Sequence, residues 1–322
     1  MQRVRLYSKA DDLDALDLAL ESFEPHCEPD QVLVEIHSAG VNPSDVKAAL
    51  GAMPHATWPR TPGRDWSGIV VEGPADLKGR EVFGTGGDLG ISQDGSHAEA
   101  IVLPRAAVCL KPSSIRLVEA GAVGVPFVTA YEGYRRAAMP KAPDVVLVLG
   151  ANGKVGQAAI QIATMLGARV FGVEPRAEAY RGHASLPVRM IDASREDVAA
   201  TVRDETGGQG ADIVYNTVGS VYFDSACKAM AVGARQIFIS TIDRAVCFDI
   251  FSFYRGRHAF FGVDTLALDA VASAEILSAL APNFEVGALR PFTVDKTFTL
   301  GQAKDAYHAV LAGSRGRVVL TR

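Results

Sequence analysis

The sequence predicts an α/β fold in which a doubly wound parallel sheet is inserted into a mostly antiparallel, barrel-like domain. Near the middle of the chain, over residues 145–166, a strand of apolar residues is followed by a glycine-rich turn and a helix with one apolar face. Further strands and helices alternate after it, which is typical of a parallel sheet. Short strands and turns precede this region, and the last strand is expected to rejoin them.

Length, composition and charge narrow the classes of function. The 322 residues suffice for two domains, and 48% of them are hydrophobic, as in an ordinary soluble protein. A formal net charge of −5 argues against binding nucleic acid or an anionic membrane surface. No apolar run approaches the roughly 18–20 residues that span a bilayer, and the first residues lack the apolar core of a signal peptide, so we expect a cytoplasmic protein. The four cysteines are scattered singly, which favours neither disulfides nor a structural zinc site.

The first part of the chain is predicted to consist of short strands. Residues 31–38 alternate between apolar and polar, as a half-buried strand does. After that strand, Asn42 and Pro43 are expected to begin a helix that Gly51 ends, because asparagine caps helices and proline suits their first turn. Further strands are predicted at residues 67–72, 80–84, 99–103 and 107–110.

The glycine-rich turn is the most informative feature of the chain. It follows the predicted strand 145–149 with Gly150, Gly153 and Gly156 at regular spacing, and a helix is expected over residues 157–166. Glycines let backbone N–H groups approach a pyrophosphate, and the N-terminus of a helix attracts negative charge. The turn therefore predicts a dinucleotide site, to which Lys154 either contributes its charge or faces water. The predicted cofactor contacts of the turn are Gly150, Ala151, Asn152, Gly153, Lys154, Val155 and Gly156.

The strand predicted at Arg169–Glu174 ends in an acidic residue that bears on the choice of cofactor. A carboxylate there accepts a hydrogen bond from the 2′-hydroxyl of a ribose and repels a 2′-phosphate, which favours NAD(H). Arg176 and Arg181 follow closely, however, and guanidinium groups bind phosphate well, which favours NADP(H).

The remaining elements complete both predicted domains, which comprise residues 1–118 with 264–322, and residues 119–263. In the second domain, helices are expected at 195–205 and 222–231, and strands at 211–219, 234–240 and 260–263. The last part of the chain is predicted to form a helix at 268–280, a strand at 290–298, a helix at 301–312 and a strand at 316–321. Further cofactor contacts are predicted for Asn216, Thr217, Val218, Ser240, Phe261, Val263 and Arg317.

Six short motifs follow one another along nearly the whole chain. They are residues 39–45 (Ala-Gly-Val-Asn-Pro-Ser-Asp), 62–68 (Pro-Gly-Arg-Asp-Trp-Ser-Gly), 94–99 (Asp-Gly-Ser-His-Ala-Glu), 129–131 (Thr-Ala-Tyr), the glycine-rich turn and 316–320 (Gly-Arg-Val-Val-Leu). In this order they resemble the medium-chain dehydrogenase/reductase superfamily, and in particular its zinc-independent quinone oxidoreductase branch. The resemblance implies a Rossmann domain inserted in a GroES-like catalytic domain, and a homodimer through the edge strand of the Rossmann sheet.

The chain departs from the zinc-dependent branch of that superfamily at its ligand positions. Asn42 stands where zinc alcohol dehydrogenases carry a cysteine, Gly63-Arg64-Asp65 replaces Gly-His-Glu, and residues 125–126 include neither thiol nor imidazole. Because catalytic zinc usually has three protein ligands, we expect no zinc. Without a Lewis acid a conjugated acceptor is easier to reduce, so NAD(P)H-dependent reduction of a quinone or an α,β-unsaturated carbonyl compound is expected. The resemblance and the two arginines favour NADPH over NADH.

Several side chains of the first domain are candidates for the catalytic site. Asn42 is the first candidate for a place beside the nicotinamide, with helix capping as the alternative. Asp45 is a candidate too, although we favour its interpretation as a helix cap or an ion-pair partner. Lys47 either polarises an oxyanion or is a solvated lysine. Arg64 and Asp65 are expected to pair with each other or with Asp45.

Other candidates lie at the start and near the end of the cofactor domain. The resemblance places Thr129 against the nicotinamide, and Tyr131 follows it as a candidate for the substrate pocket. Tyr254 and Arg255 could line the substrate side, and core or dimer packing is the alternative for both.

Two other functions stay open at this point. An enoyl-thioester reductase of the same superfamily would need basic residues for the tail of its substrate, which Arg135, Arg136 and Lys141 could supply. The second open function is that of a catalytically weak NADPH-binding sensor or scaffold. Related reductases often carry tyrosines in the helix after Asn42, and this chain has none before Gly51, which leaves the proton donor undefined.

Overall fold

The computed structural model describes residues 1–53 and 55–322, which divide into two compact units. Unit 1 comprises residues 1–128 and 265–322, and unit 2 comprises residues 129–264. Unit 1 extends to Val128, beyond the boundary expected at residue 118, because the ring of Phe127 packs against Phe284 and Phe292 at centroid distances of 4.9 and 5.3 Å. Among the described residues, no helix is both long and apolar enough to cross a membrane.

Strands are frequent in unit 1 and alternate with helices in unit 2. The strands are β1 (Gln2–Leu6), β2 (Leu18–Ser22), β3 (Gln31–Val41), β4 (Trp66–Glu72), β5 (Glu81–Gly84), β6 (Ala100–Pro104), β7 (Cys109–Leu110), β8 (Val145–Leu149), β9 (Arg169–Glu174), β10 (Val188–Asp192), β11 (Ala211–Asn216), β12 (Met230–Phe238), β13 (Ala259–Gly262), β14 (Val294–Thr299) and β15 (Arg317–Thr321). The helices are α1 (Pro43–Ala49), α2 (Leu117–Ala120), α3 (Gly124–Ala137), α4 (Lys154–Met165), α5 (Val198–Glu205), α6 (Phe223–Ala229), α7 (Ile250–Arg255), α8 (Ala270–Glu285) and α9 (Ala303–Leu311).

Unit 2 contains a six-stranded parallel sheet with the strand order β10-β9-β8-β11-β12-β13. The order reverses between β8 and β11, and in such sheets ligands bind at that point, outside the carboxyl ends of the strands. Residues 146–149 of β8 are fully buried, as expected of a central parallel strand. The predicted doubly wound sheet is confirmed. The sequence prediction lacks β10, because this edge strand is only half-buried and has no continuous apolar run.

Unit 1 contains a seven-stranded sheet in which β14, β15, β3, β4, β5 and β7 are neighbours and β6 also pairs with β3. Strands β14 and β15 run parallel, whereas the other pairs of this sheet run antiparallel, as predicted. Val318 of β15 lies opposite Val41 of β3, so the last strand does rejoin the first part of the chain. Trp66 and Val34 belong to the buried core that this sheet covers.

Candidate active site

Two glycines shape the turn between β8 and α4 in unit 2. Gly150 has a φ angle of +77°, and a Cβ added there would lie 2.5 Å from the hydroxyl oxygen of Thr217. A Cβ on Gly156 would overlap the carbonyl oxygen of Gly150. Both positions therefore require glycine, which keeps the turn close to the first residues of α4.

The turn is held against the neighbouring strand β9. The backbone N–H groups of Gly150 and Ala151 donate to the carbonyl oxygen of Val173, at 3.0 and 3.2 Å. Gly153 precedes α4, and the first N–H groups of a helix have no acceptor within it while its dipole favours an anion. This arrangement is suited to binding a pyrophosphate.

Glu174 ends β9 beside the turn, and Oε1 of its carboxylate accepts the backbone N–H of Asn152 at 2.6 Å. The side chain of Asn152 binds the segment that follows β9. Its Nδ2 donates to Oε2 of Glu178 at 3.1 Å, and its Oδ1 accepts the backbone N–H of Arg181 at 2.9 Å. The guanidinium of Arg181 forms an ion pair with Glu178, whereas Arg176 is exposed. Two carboxylates therefore flank Asn152 at the carboxyl end of β9.

Other predicted cofactor residues follow the neighbouring strands. Asn216 ends β11, and its Oδ1 accepts the backbone N–H of Val218 at 3.1 Å. The hydroxyl of Thr217 donates to the carbonyl oxygen of Leu149 at 2.6 Å, and the hydroxyl of Ser240 donates to the carbonyl oxygen of Thr217 at 2.7 Å. These contacts bring the carboxyl ends of β8, β11 and β12 together beside the glycine-rich turn.

The remaining predicted cofactor residues of unit 2 lie on α3 and around β13. The carbonyl oxygen of Thr129 accepts the hydroxyl of Tyr215 at 2.7 Å, which ties α3 to β11, and Tyr131 is half-buried on the same helix. Phe261 lies within β13. Val263 follows this strand and donates its backbone N–H to the last residue of β12 at 2.8 Å. Val263 is therefore at the carboxyl edge of the sheet.

Tyr254 and Arg255 lie at the other edge of this sheet. They end α7 shortly before β13 begins, so they are near the amino ends of the strands, away from the glycine-rich turn. The guanidinium of Arg255 lies over the rings of Phe251 and Tyr254, at 5.5 and 5.4 Å from their centroids. Arg255 also lines a mostly apolar cavity of about 640 Å³. The structure does not bring these two residues to the cofactor contacts, and both are exposed.

In unit 1, four charged side chains and one amide form a buried cluster. Its members, each at most 2% exposed, are Asn42, Asp45, Arg64, Asp65 and Arg317. Asn42 immediately precedes α1, and its backbone N–H donates to Oδ2 of Asp45 at 2.8 Å, which stabilises the start of the helix. Nε of Arg64 donates to Oδ1 of Asp45 at 3.1 Å, so Arg64 pairs with this aspartate.

Asn42 and Arg317 connect that ion pair to Asp65. Nδ2 of Asn42 donates to Oδ2 of Asp65 at 3.0 Å and to Oδ2 of Asp45 at 3.2 Å, while its Oδ1 accepts Nη1 of Arg317 at 2.9 Å. Nη2 of Arg317 donates to Oδ2 of Asp65 at 2.9 Å, and the N–H of Val125 donates to Oδ1 at 2.7 Å. Burial raises the pKa of Asp65 and lowers the pKa of Arg317, and their mutual attraction opposes both shifts. This buried position does not support the predicted cofactor contact of Arg317.

The cluster includes Asn42 and the adjacent pair Arg64 and Asp65. The resemblance to zinc-dependent enzymes implies metal ligands at these two places in the sequence. Zinc needs available thiolate, imidazole or carboxylate donors, but here two guanidinium groups and an amide bind both carboxylates. Over residues 1–53 and 55–322, no group of three or more His, Cys, Asp or Glu side chains could hold a metal ion. As they are paired in the buried cluster, Asn42, Arg64 and Asp65 do not fit zinc. Lys47, on α1, is exposed, as the solvated alternative predicts.

Two family models match the chain. The alcohol dehydrogenase GroES-like domain matches residues 28–113, and the zinc-binding dehydrogenase model matches residues 155–278. A zinc-type alcohol dehydrogenase-like protein of Schizosaccharomyces pombe is 32% identical over 298 residues, which cover 90% of this chain and 88% of that protein. This chain belongs to the medium-chain dehydrogenase/reductase superfamily. Its similarity to quinone oxidoreductases places it in the quinone oxidoreductase-like branch.

Other members of the superfamily are similar along most of their length. A quinone oxidoreductase of Lama guanicoe is 27% identical, with 95% of this chain and 93% of that protein aligned. A 2-methylene-furan-3-one reductase of Solanum lycopersicum is 28% identical, covering 98% of this chain and 77% of that protein. The crystal structure of an alcohol dehydrogenase superfamily protein from Novosphingobium aromaticivorans, 28% identical, covers all of both chains with a TM-score of 0.86. The chain is thus an oxidoreductase of this superfamily, for which a nicotinamide cofactor is implied.

Proposed function

We propose that this protein reduces a quinone or an α,β-unsaturated carbonyl compound with a nicotinamide cofactor and without zinc. The observation that carries the proposal is the buried cluster of unit 1, in which Asn42 and the adjacent Arg64 and Asp65 stand at two of the three expected ligand positions. Their polar atoms bind one another and Arg317, so a structural network stands where a Lewis acid would be held. Similarity to a quinone oxidoreductase and to a furanone reductase supports this substrate class.

The chemistry suits a site without a metal. A conjugated acceptor takes a hydride at carbon, and the charge spreads to an enolate or hydroquinone oxygen that hydrogen bonds can stabilise and solvent can protonate. A bound nicotinamide supplies the hydride and its electron pair. The chain contributes the first backbone N–H groups of α4, which the glycine-rich turn leaves open to a pyrophosphate, and Glu174, which would accept hydrogen bonds from ribose hydroxyls.

The proposal is tested by stopped-flow oxidation of NADH and of NADPH in the presence of 1,4-benzoquinone, an ortho-quinone or a simple enone. Each reaction is compared with an enzyme-free blank and repeated with a chelator. We expect oxidation that the chelator does not change. Loss of activity with the chelator and recovery with zinc would overturn the zinc-free mechanism. Cofactor binding without oxidation by any acceptor would favour the sensor or the thioester substrate.

We further propose that NADH is the preferred cofactor, although the sequence prediction favours NADPH. The carboxylate of Glu174 is fixed beside the turn by the N–H of Asn152, where it would repel a 2′-phosphate. One of the two arginines on which the NADPH prediction depends, Arg181, is paired with Glu178. Both observations support a ribose with a free 2′-hydroxyl.

Replacing Glu174 with serine should therefore reverse the preference. Because a hydrogen bond to a charged group contributes about 1.5–3 kcal/mol, kcat/KM for NADH should fall at least about tenfold. Removal of the repulsion should raise kcat/KM for NADPH by a similar factor. Steady-state kinetics with each cofactor measure both values, and Glu275→Ser on the exposed face of α8 serves as the matched control. An unchanged ratio in the Glu174 variant would contradict this role.

A homodimer through the edge of the parallel sheet and a cytoplasmic location stay predictions. Among the described strands of that sheet, β13 is an outer one, and an unpaired edge is a template for a second strand. Ile250 and Phe251 of the adjacent α7 are 68% and 60% exposed, which supports an apolar contact there.

A further inference from the structure

We propose that Asn152, Glu178 and Arg181 form a second determinant of cofactor selectivity, in which Glu178 holds the guanidinium of Arg181 away from a 2′-phosphate. We name these three residues the selectivity clamp. The inference rests on the proposed function, because it concerns the dinucleotide site of the same reaction.

The clamp is attached to the glycine-rich turn at Asn152. The backbone N–H of Asn152 donates to Glu174 at 2.6 Å, while its Nδ2 lies 3.1 Å both from Oε2 of Glu178 and from the carbonyl oxygen of Ala179. Because one residue contacts both carboxylates, Glu178 lies at the same end of β9 as Glu174. The ion pair of Glu178 with Arg181 is thereby placed near the expected ribose.

The segment after β9 is also anchored on α4. The hydroxyl of Tyr180 lies 3.3 Å from the carbonyl oxygen of Gln157 and 3.0 Å from that of His183. Nε2 of Gln157 donates to the carbonyl oxygen of Asn152 at 2.7 Å. Burial raises the pKa of Tyr180, so its hydroxyl stays a donor. Residues 178–183 are therefore held against the first turns of α4, where the dinucleotide site begins.

The charges of the clamp disfavour a 2′-phosphate. The side chains of Arg181 and Glu178 are 33% and 35% exposed, so both can be reached by a ligand. In their ion pair, the positive charge of Arg181 is neutralised, and the carboxylate of Glu174 is left beside the ribose. A neutral ribose hydroxyl can donate to that carboxylate, whereas a phosphate is repelled. Without the charge of Glu178, the guanidinium of Arg181 would be free to bind a phosphate through two hydrogen bonds.

The decisive variant is Glu178→Gln, which keeps the size of the side chain and removes its charge. Calorimetric titration of the full chain should show a Kd for NADPH about tenfold lower than that of the wild type, and a Kd for NADH changed less than about twofold. In the double variant Glu178→Gln/Arg181→Gln the gain for NADPH should disappear, because the released guanidinium causes it. Glu275→Gln is the control and should leave both constants unchanged.

These titrations contain no acceptor, so they do not depend on turnover. If Glu178→Gln leaves the ratio of the two Kd values unchanged while NADH still binds, the clamp is overturned and the proposed function stands. A gain for NADPH that persists without Arg181 overturns the clamp as well, since the guanidinium is then not its cause. Binding of neither cofactor by the wild type overturns the clamp and the proposed function together.

Discussion

Replacing Arg317 with methionine should lower the free energy of unfolding of unit 1 by about 3–5 kcal/mol, the typical cost of breaking a buried ion pair. The guanidinium is 2% exposed and donates to Asn42 and Asp65 at 2.9 Å each. Methionine occupies a similar volume but leaves the buried carboxylate of Asp65 without this positive charge. The Asn42 amide, which also contacts Asp45, loses the donor to its Oδ1 at the same time.

Urea unfolding followed by tryptophan fluorescence measures this loss selectively. The two tryptophans of the chain, Trp58 and Trp66, both belong to unit 1, and Trp66 is fully buried. The control is the double variant Arg317→Met/Asp65→Asn, which removes both charges and should recover much of the stability. If the single variant lost less than about 1 kcal/mol, the cluster would contribute little more than an ordinary surface contact.

How much of the fold could be predicted depends on how strongly burial constrains each segment. Strand β9 was predicted with the bounds Arg169–Glu174 that the structure has, because its interior residues are buried and apolar. Strand β10 has one buried residue in five, and its pairing with β9 is decided by tertiary contacts that no local pattern encodes. Interior strands can therefore be predicted from the sequence, whereas edge strands are much harder to predict.

Some residues of the candidate site can also be predicted from the local sequence, and others cannot. The position of Glu174 follows from local order, since it ends the strand that pairs with β8 next to the turn. Arg181 and Glu178 are three residues apart, a spacing that is compatible with an ion pair. Spacing alone, however, does not say whether a guanidinium binds a neighbouring carboxylate or a ligand. The contact of Arg317 with Asn42 joins residues 275 positions apart, and it depends on the register between β15 and β3. Long-range polar contacts of this kind need the folded structure.

Acidification from about pH 6.5 to about pH 4 should destabilise unit 1 through His97. The ring is fully buried, its Nδ1 lies 2.9 Å from the hydroxyl oxygen of Tyr307, and burial lowers the pKa of His97 to about 4. A histidine in an unfolded chain titrates near 6.5. The unfolded state therefore takes up a proton that the folded state excludes, so stability falls as the pH falls through this range. With about 1.4 kcal/mol for each pKa unit, the loss should reach about 3 kcal/mol near pH 4.

A His97→Gln variant isolates this contribution, because glutamine can hydrogen-bond to Tyr307 but does not titrate. Urea unfolding at several pH values gives the difference in unfolding free energy between the wild type and the variant, in which the carboxylates common to both largely cancel. The wild type should lose about 3 kcal/mol relative to the variant on acidification. His26→Gln, at a side chain 86% exposed, should follow the wild-type curve. A difference independent of pH would mean that folded His97 accepts the proton after all, and that the nearby charge of Asp45 outweighs the cost of burial.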